Sequence, residues 1–333
     1  MERGPASDQG SRSAMSAAGR AVLIGGPTAS GKSALALALA DRLAPEIQSV
    51  LINADSMQLY RDLRILTARP GPEDEARVPH RLYGVLPAAD GCSAMHWREF
   101  ALAEIRAAWA SRRLPIVVGG TGLYLRALLD GLAPVPPIPQ AARAAARALH
   151  TEIGGAAMHA RLAARDPATA GRVGPGDSQR LIRAWEVIEG TGITLSEWQR
   201  RPADGTFPGI WRGFVIDRPR AALYARIDAR VEAMIAAGAV DEVRALTGLG
   251  LDPALPAMKA VGVAQLGAHL RGEIDLAQAV AETQKASRRL AKRQMTWFRH
   301  QAAGWQTVAA QDSESLEAEI FPKIRQFLLT GPG

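Results

Sequence analysis

The stretch Gly26-Pro27-Thr28-Ala29-Ser30-Gly31-Lys32-Ser33 fits G-x-x-x-x-G-K-[ST], the pattern of a phosphate-binding loop. Its flanks agree with that reading. Upstream, Ala21-Val22-Leu23-Ile24 is a short apolar run that reads as a buried strand. Downstream, residues 34–43 are rich in Ala and Leu and read as a helix. A strand, a tight glycine loop and a helix start aim successive backbone N–H groups at one spot, where the helix dipole adds partial positive charge. Lys32 supplies a point charge for terminal phosphates, and the Ser33 hydroxyl is placed to ligate Mg²⁺. The pattern implies a diphosphate or triphosphate without implying hydrolysis. A glycine turn with a chance lysine is the plainer alternative.

Working outward, 333 residues suffice for one large domain or for a core with an insertion. Apolar residues make up 47% and charged residues 22%, the balance of a globular protein, and no apolar run is long enough to cross a bilayer. The lone Cys92 excludes an internal disulfide framework and any multi-cysteine zinc site, and a cytoplasmic address follows by default. A net charge of +7 hints at a polyanionic partner, although an Arg-rich composition has other origins.

Residues 1–19 are small and polar and read as a disordered tail. Val50-Leu51-Ile52 reads as a second strand that delivers Asp55-Ser56-Met57-Gln58. Open parallel α/β sheets carry their sites at strand carboxyl ends, which places Asp55 in the crevice with Lys32. A helix N-cap is the alternative role for Asp55. Residues 60–90 lack periodicity and read as a surface excursion. A helix over 97–109 with Ser93 as cap precedes a third strand, 114–118, which ends in Gly119-Gly120-Thr121-Gly122. Thr121 offers a hydroxyl to the same crevice, or else belongs to a tight strand-to-helix turn. A helix over 123–132 leads into the proline-rich linker 133–139.

After the linker the pattern turns all-helical, with helices over 140–150, 158–162 and 178–188, the last capped by Asp177. Leu181, Ile182, Trp185 and Ile188 share one face of that last helix; Gln179, Arg180 and Arg183 fall away from it. A strand resumes at 213–216, followed by a helix over 220–237 closed by Gly238, then shorter pieces over 239–246 and 276–287. Over 285–299, Lys285, Arg288, Arg289, Lys292 and Arg299 form a stripe opposite Leu290, Trp297 and Phe298. Such a run is either a solvated face or a surface for a phosphate backbone. The expected division is a tail (1–19), an α/β core (20–134 and 208–333) and a helical insertion (135–207).

GPTASGKS at 26–33, DSMQLYR at 55–61, VVGGTGLYLRALL at 117–129, DSQRLIRAWEV at 177–187, MKAVGVAQ at 258–265 and LAKRQMTWFRH at 290–300 stand in this order. Together they resemble the bacterial tRNA dimethylallyltransferases over residues 21–300. The resemblance implies a phosphate-loop α/β core with a parallel sheet flanked by helices and an inserted all-helical domain. It implies transfer of a dimethylallyl group from dimethylallyl diphosphate to N6 of adenosine 37, beside the anticodon, in tRNAs reading codons that begin with U, with Mg²⁺ required. By position, Gly26, Pro27, Thr28, Ala29, Ser30, Gly31, Lys32 and Ser33 would hold the diphosphate. Asp55, Ser56, Met57 and Gln58 would meet the adenosine, Thr121 and Arg143 would flank the reaction channel, and Gln179, Arg180, Leu181, Ile182 and Arg183 would contact tRNA. Arg289, Lys292 and Arg293 add phosphate-backbone candidates from the cationic helix. A monomer is expected. The chain departs from the family at Asp62, at Arg64-Ile65-Leu66-Thr67-Ala68-Arg69-Pro70, at Pro79-His80-Arg81-Leu82 and at Val263-Ala264.

The residues themselves support this chemistry. An exocyclic adenine amine is a weak nucleophile, so Asp55 is the candidate acceptor of its proton, while Lys32 and the loop amides neutralise the departing diphosphate. An unpaired anticodon loop makes extrusion of the base inexpensive. Three alternatives share the loop: an ATP-dependent small-molecule kinase, an adenylate prenyltransferase, and a nucleotide-dependent RNA-binding switch. The helical insertion and the basic stripe count against the first two; the converging carboxylate and hydroxyl count against the third.

Overall fold

The computed structural model describes residues 17–203, 205–309 and 313–330. Residues 1–16 of the expected tail lie outside this set; Ala17 is buried and Gly19 accepts a hydrogen bond from the Ile210 N–H, so order begins before residue 20. The chain divides into two compact units, Met1–Leu128 with Pro208–Gly333, and Leu129–Phe207.

The first unit is built on six strands: β1 (Arg20–Gly25), β2 (Ser49–Asn53), β3 (His80–Arg81), β4 (Leu114–Gly119), β5 (Ile210–Asp217) and β6 (Gln306–Ala309). They form one wholly parallel sheet in the order β3-β2-β4-β1-β5-β6. Strands β1, β2 and β4 are buried at every position, as strands covered on both faces must be. The expected sheet flanked by helices is therefore present. The helices α1 (Lys32–Leu43), α2 (Pro72–Arg77), α3 (Ala94–Ala110) and α4 (Gly122–Asp130) follow in chain order, and Ser93 caps α3 through the His96 N–H as expected.

The second unit holds α5 (Gln140–Arg165), α6 (Pro167–Ala170), α7 (Ser178–Thr191) and α8 (Leu195–Arg200). The two helices expected over 140–150 and 158–162 are one span, broken where Gly154 adopts φ 73. Asp177 caps α7 through the Arg180 N–H. Met158, Leu162, Leu181, Ala184 and Ile188 form its core.

Returning to the first unit, α9 (Arg220–Ala236), α10 (Ala239–Gly248), α11 (Val263–Leu270), α12 (Leu276–Gln301) and α13 (Ser313–Leu329) complete the chain. Three expectations need correction. The pieces read over 276–287 and 285–299 are one 26-residue helix, α12. Residues 60–90 are not a surface excursion: Tyr60, Leu63, Leu82 and Ala88 are buried, and β3 extends the sheet. Strand β6 and helix α13 were not foreseen, yet Val308, Leu316, Ile320, Ile324 and Phe327 complete the core that packs on α1.

Candidate active site

Registry brings three strand ends together. Gly25 pairs with Gly119 across β1 and β4, and Asn53 pairs with Val118 across β2 and β4. The phosphate loop, the Asp55 turn and the Gly120-Thr121 turn consequently leave the sheet side by side. Gly119 lies so close to the Ala54 carbonyl that no Cβ fits there. That contact lets the Thr121 N–H donate to Ala54 O at 3.2 Å.

Gly31 takes φ 97 and starts α1, a conformation other residues adopt only with strain. Its placement leaves the amides of Gly31, Lys32 and Ser33 without a protein acceptor among the described residues, at the positive end of the helix. The amide cradle is shorter than expected. The Thr28 N–H is taken by Gln294 Oε1 at 2.8 Å, and the Ser30 N–H by Pro27 O at 3.2 Å. The Ser30 hydroxyl is buried with no hydrogen-bond partner among the described residues, and Ser33 is exposed. Lys32 is half-buried and reaches Pro27 O at 3.3 Å. Loss of hydration lowers its ammonium to about 8, with Asp55 opposing the shift and Arg230 reinforcing it.

Asp55 does not cap a helix. Its carboxylate Oδ1 accepts from the Met57 N–H at 3.0 Å, its own N–H donates to Asn53 Oδ1 at 2.7 Å, and the chain goes on as a turn. Asn53 ties this turn down by donating to Asp55 O and Leu82 O. Thr121 Oγ1 accepts from the Ser56 N–H at 3.0 Å, so the Thr121 hydroxyl holds the turn that carries Asp55. Burial pushes the Tyr83 and Tyr124 phenols well above their usual range, and the nearby Asp55 charge adds to both. Gln58 is buried and spends its side-chain amide on Thr67 O and Ala68 O, which makes it a brace rather than an open contact.

Four residues of this site were missed in the sequence. Arg218 Nε donates to Ser30 O at 2.7 Å, Arg226 Nε to Ala29 O at 3.0 Å, and Arg230 Nη1 to Thr28 Oγ1 at 3.5 Å. The last two are linked by spacing: Arg226 and Arg230 are four apart on α9, so they share a helix face, next to the buried Ile227 and Val231. The fourth, Gln294, stands inside the KRQMTW stretch already singled out. Besides holding Thr28, it donates to Gly120 O at 3.0 Å, and Trp297 lies over Gly122. That stretch therefore clamps the phosphate loop to the Thr121 turn from behind.

A solvent-open cleft adjoins these groups. Thr28, Asp55 and Arg230 line it beside the phosphate loop; Met57, Leu66, Ile227, Val231, Met234, Val261 and Leu290 supply apolar surface, interrupted by the hydroxyl-bearing Thr67, Thr283 and Ser287. On α12, Arg289, Lys292, Arg293 and Arg299 are exposed with no carboxylate partner among the described residues, whereas Lys285 pairs with Glu282 and Arg288 with Asp228. The open stripe is thus narrower than the sequence suggested. In the second unit, Arg143, Gln179, Arg180 and Arg183 are exposed. Leu181 is fully buried, so the expectation that it contacts tRNA is withdrawn: it belongs to the core of that unit, with Ile182 packed against the same core.

Comparison with known proteins agrees with this geometry. A family model described as IPP transferase matches residues 58–301, and a TIP49 P-loop domain model matches residues 13–62. A tRNA dimethylallyltransferase from Paramagnetospirillum magneticum is 54% identical over 312 residues, covering 94% of this chain and 98% of that one. Another from Rhodospirillum centenum is 57% identical over 283 residues, 85% and 89% of the two chains. The crystal structure of the full-length tRNA isopentenylpyrophosphate transferase of Bacillus halodurans superposes with a TM-score of 0.66 at 31% identity, covering 93% of this chain and 97% of that one. By the motifs, the sheet that aligns them and these similarities, the chain belongs to the tRNA dimethylallyltransferase family.

Proposed function

We propose that this chain transfers a dimethylallyl group from dimethylallyl diphosphate to N6 of adenosine 37 in tRNAs reading codons that begin with U. One observation carries the choice of donor. The cleft places the charged Asp55 and Arg230 beside Thr28 of the phosphate loop and is lined elsewhere mainly by apolar side chains, which matches a diphosphate joined to a short hydrocarbon. An ATP-type ligand would set a polar ribose and a base edge against those apolar walls.

In this reading the amides of Gly31, Lys32 and Ser33, the Lys32 ammonium and Arg230 hold the diphosphate. The hard-oxygen chemistry of the Ser33 hydroxyl beside that cradle suits Mg²⁺, which would add charge neutralisation on the leaving group. The C–O bond to the allylic carbon breaks and its electron pair leaves with the diphosphate. The N6 lone pair forms the new C–N bond, and the N6 proton passes to the Asp55 carboxylate. Asn53 and Thr121 position Asp55 through the turn. The exposed cations Arg143, Arg180, Arg183, Arg289, Lys292 and Arg293 serve the RNA backbone. A monomer acting on tRNA in the cytoplasm completes this reading.

The test is incubation with bulk tRNA and labelled dimethylallyl diphosphate, followed by nucleoside analysis. Label in N6-dimethylallyladenosine is the expected result. Transfer to free AMP in preference to tRNA, or tRNA-stimulated ATP turnover without prenyl transfer, would overturn the proposal.

A further inference from the structure

One wall of the cleft is made by the loop 62–70, and a carboxylate from a distant segment holds it. Three successive N–H groups, those of Arg64, Ile65 and Leu66, donate to Glu242: at 2.7 Å and 2.7 Å to Oε2 and at 2.9 Å to Oε1. Glu242 stands in the first turn of α10, where a negative charge is favoured by the helix dipole. On the other side, Gln58 Nε2 holds Thr67 O at 2.8 Å and Ala68 O at 3.1 Å, and the Thr67 hydroxyl donates to Leu63 O at 2.7 Å.

What this bracing fixes is Leu66. Its side chain lines the cleft together with Ile227 and Val231, and packs into the two apolar clusters that contain Met57 and Met234. It also presses on Gly262, where an added Cβ would come within 2.7 Å of Leu66 Cδ2. Moving Leu66 aside would strip three N–H groups of a charged acceptor. Hydrogen bonds to an ionised group are about twice as strong as neutral ones, so the wall resists displacement.

We propose that Leu66, positioned by the Glu242 carboxylate, limits the hydrocarbon length the cleft accepts, so that a five-carbon prenyl diphosphate is used and a ten-carbon one is refused. The inference rests on the reading that the cleft takes a prenyl diphosphate. A ten-carbon chain carries a second isoprene unit, and it must displace either the Leu66 isobutyl group or the loop that bears it. Leu66 is the specificity-determining residue; Glu242 acts through it.

The experiment compares kcat/KM for dimethylallyl and geranyl diphosphates with one tRNA preparation. Wild type should favour the five-carbon donor by about tenfold or more, since a hydrophobic pocket discriminates by that much even for one methylene. Leu66→Ala should move the ratio toward the ten-carbon donor by about tenfold, and Glu242→Gln should move it the same way, because its amide turns an N–H toward N–H groups. Leu66→Met, which conserves volume, should stay near wild type. The ratio does not depend on how much of a variant is folded, so a purely structural role leaves it unchanged. Equal losses on both donors in Leu66→Ala and Glu242→Gln would overturn the proposal. So would a wild type that uses geranyl diphosphate as well as dimethylallyl diphosphate, which needs no variant. A wild type that transfers from neither donor overturns the reading of the cleft itself, and the five-carbon reaction alone reveals that failure.

Discussion

Replacing Asp55 by asparagine separates its chemistry from its architecture. The carboxylate makes one local hydrogen bond, from the Met57 N–H at 3.0 Å, and an asparagine carbonyl oxygen can accept the same bond. The Asp55 N–H keeps Asn53 Oδ1 at 2.7 Å. The turn therefore survives and tRNA affinity should change little. On the proposed mechanism the proton acceptor is lost, which typically costs about 10²- to 10⁴-fold in rate, or roughly 3 to 5 kcal/mol of barrier. A second effect follows from the electrostatics. Burial lowers Lys32 to about 8 and Asp55 is the group opposing it, so the variant's lysine falls further. In the proposed role Lys32 binds the diphosphate when charged, and it loses that charge as pH rises through its pKa. Wild-type kcat/KM for the diphosphate should accordingly decline above about pH 8, and in Asp55→Asn the decline should begin at lower pH. At about pH 6 the lysine is charged in wild type, so the deficit measured there comes closest to isolating the lost base. The assay is single-turnover transfer at saturating tRNA and diphosphate, with tRNA affinity and the pH profile of kcat/KM measured separately. A variant that reacts within a few-fold of wild type, with its alkaline limb unmoved, would refute both parts.

Gln294→Leu should leave the Thr28 N–H and the Gly120 carbonyl unpaired at about 1–3 kcal/mol each, lowering kcat/KM for the diphosphate by at least about tenfold; a variant within threefold of wild type would show that the clamp is dispensable. Charge reversal of Arg289 and Lys292 should weaken tRNA binding and reduce the log–log salt slope by about 0.7 to 0.9 per lost phosphate contact, whereas an unchanged slope would assign these exposed cations to solvent.

The parts legible in the sequence are those whose information is local. β1, β2 and β4 announce themselves as unbroken apolar runs because both faces are covered. The phosphate loop, Asp55 and Thr121 each sit within a few residues of a strand end, so a motif and a topology rule suffice to place them. β6 offers four residues with only Val308 buried, and Pro322 inside α13 argues against the helix that nonetheless forms. Tyr60, Leu63, Leu82 and Ala88 show no period, because their burial comes from tertiary packing and not from one repeating face. Arg218, Arg226, Arg230 and Gln294 reach the phosphate loop from 188 to 266 residues away; spacing pairs Arg226 with Arg230 on one helix face but does not say what that face meets. Leu181 shows the opposite failure. It belonged to the apolar face of its own helix, and assigning it to tRNA by position overrode that pattern.

The clamp formed by Gln294 has a consequence for how the protein comes off the ribosome. The residue that fastens the phosphate loop to the Thr121 turn is made 266 residues after Thr28 of that loop. At about 5–20 residues per second, that interval is roughly 13 to 53 seconds. Throughout it the nascent chain carries a phosphate loop with no Gln294 behind it, and the core on α1 still lacks Val308, Leu316, Ile320, Ile324 and Phe327. Until α12 is made, the phosphate loop and the Thr121 turn lack the side chain that joins them.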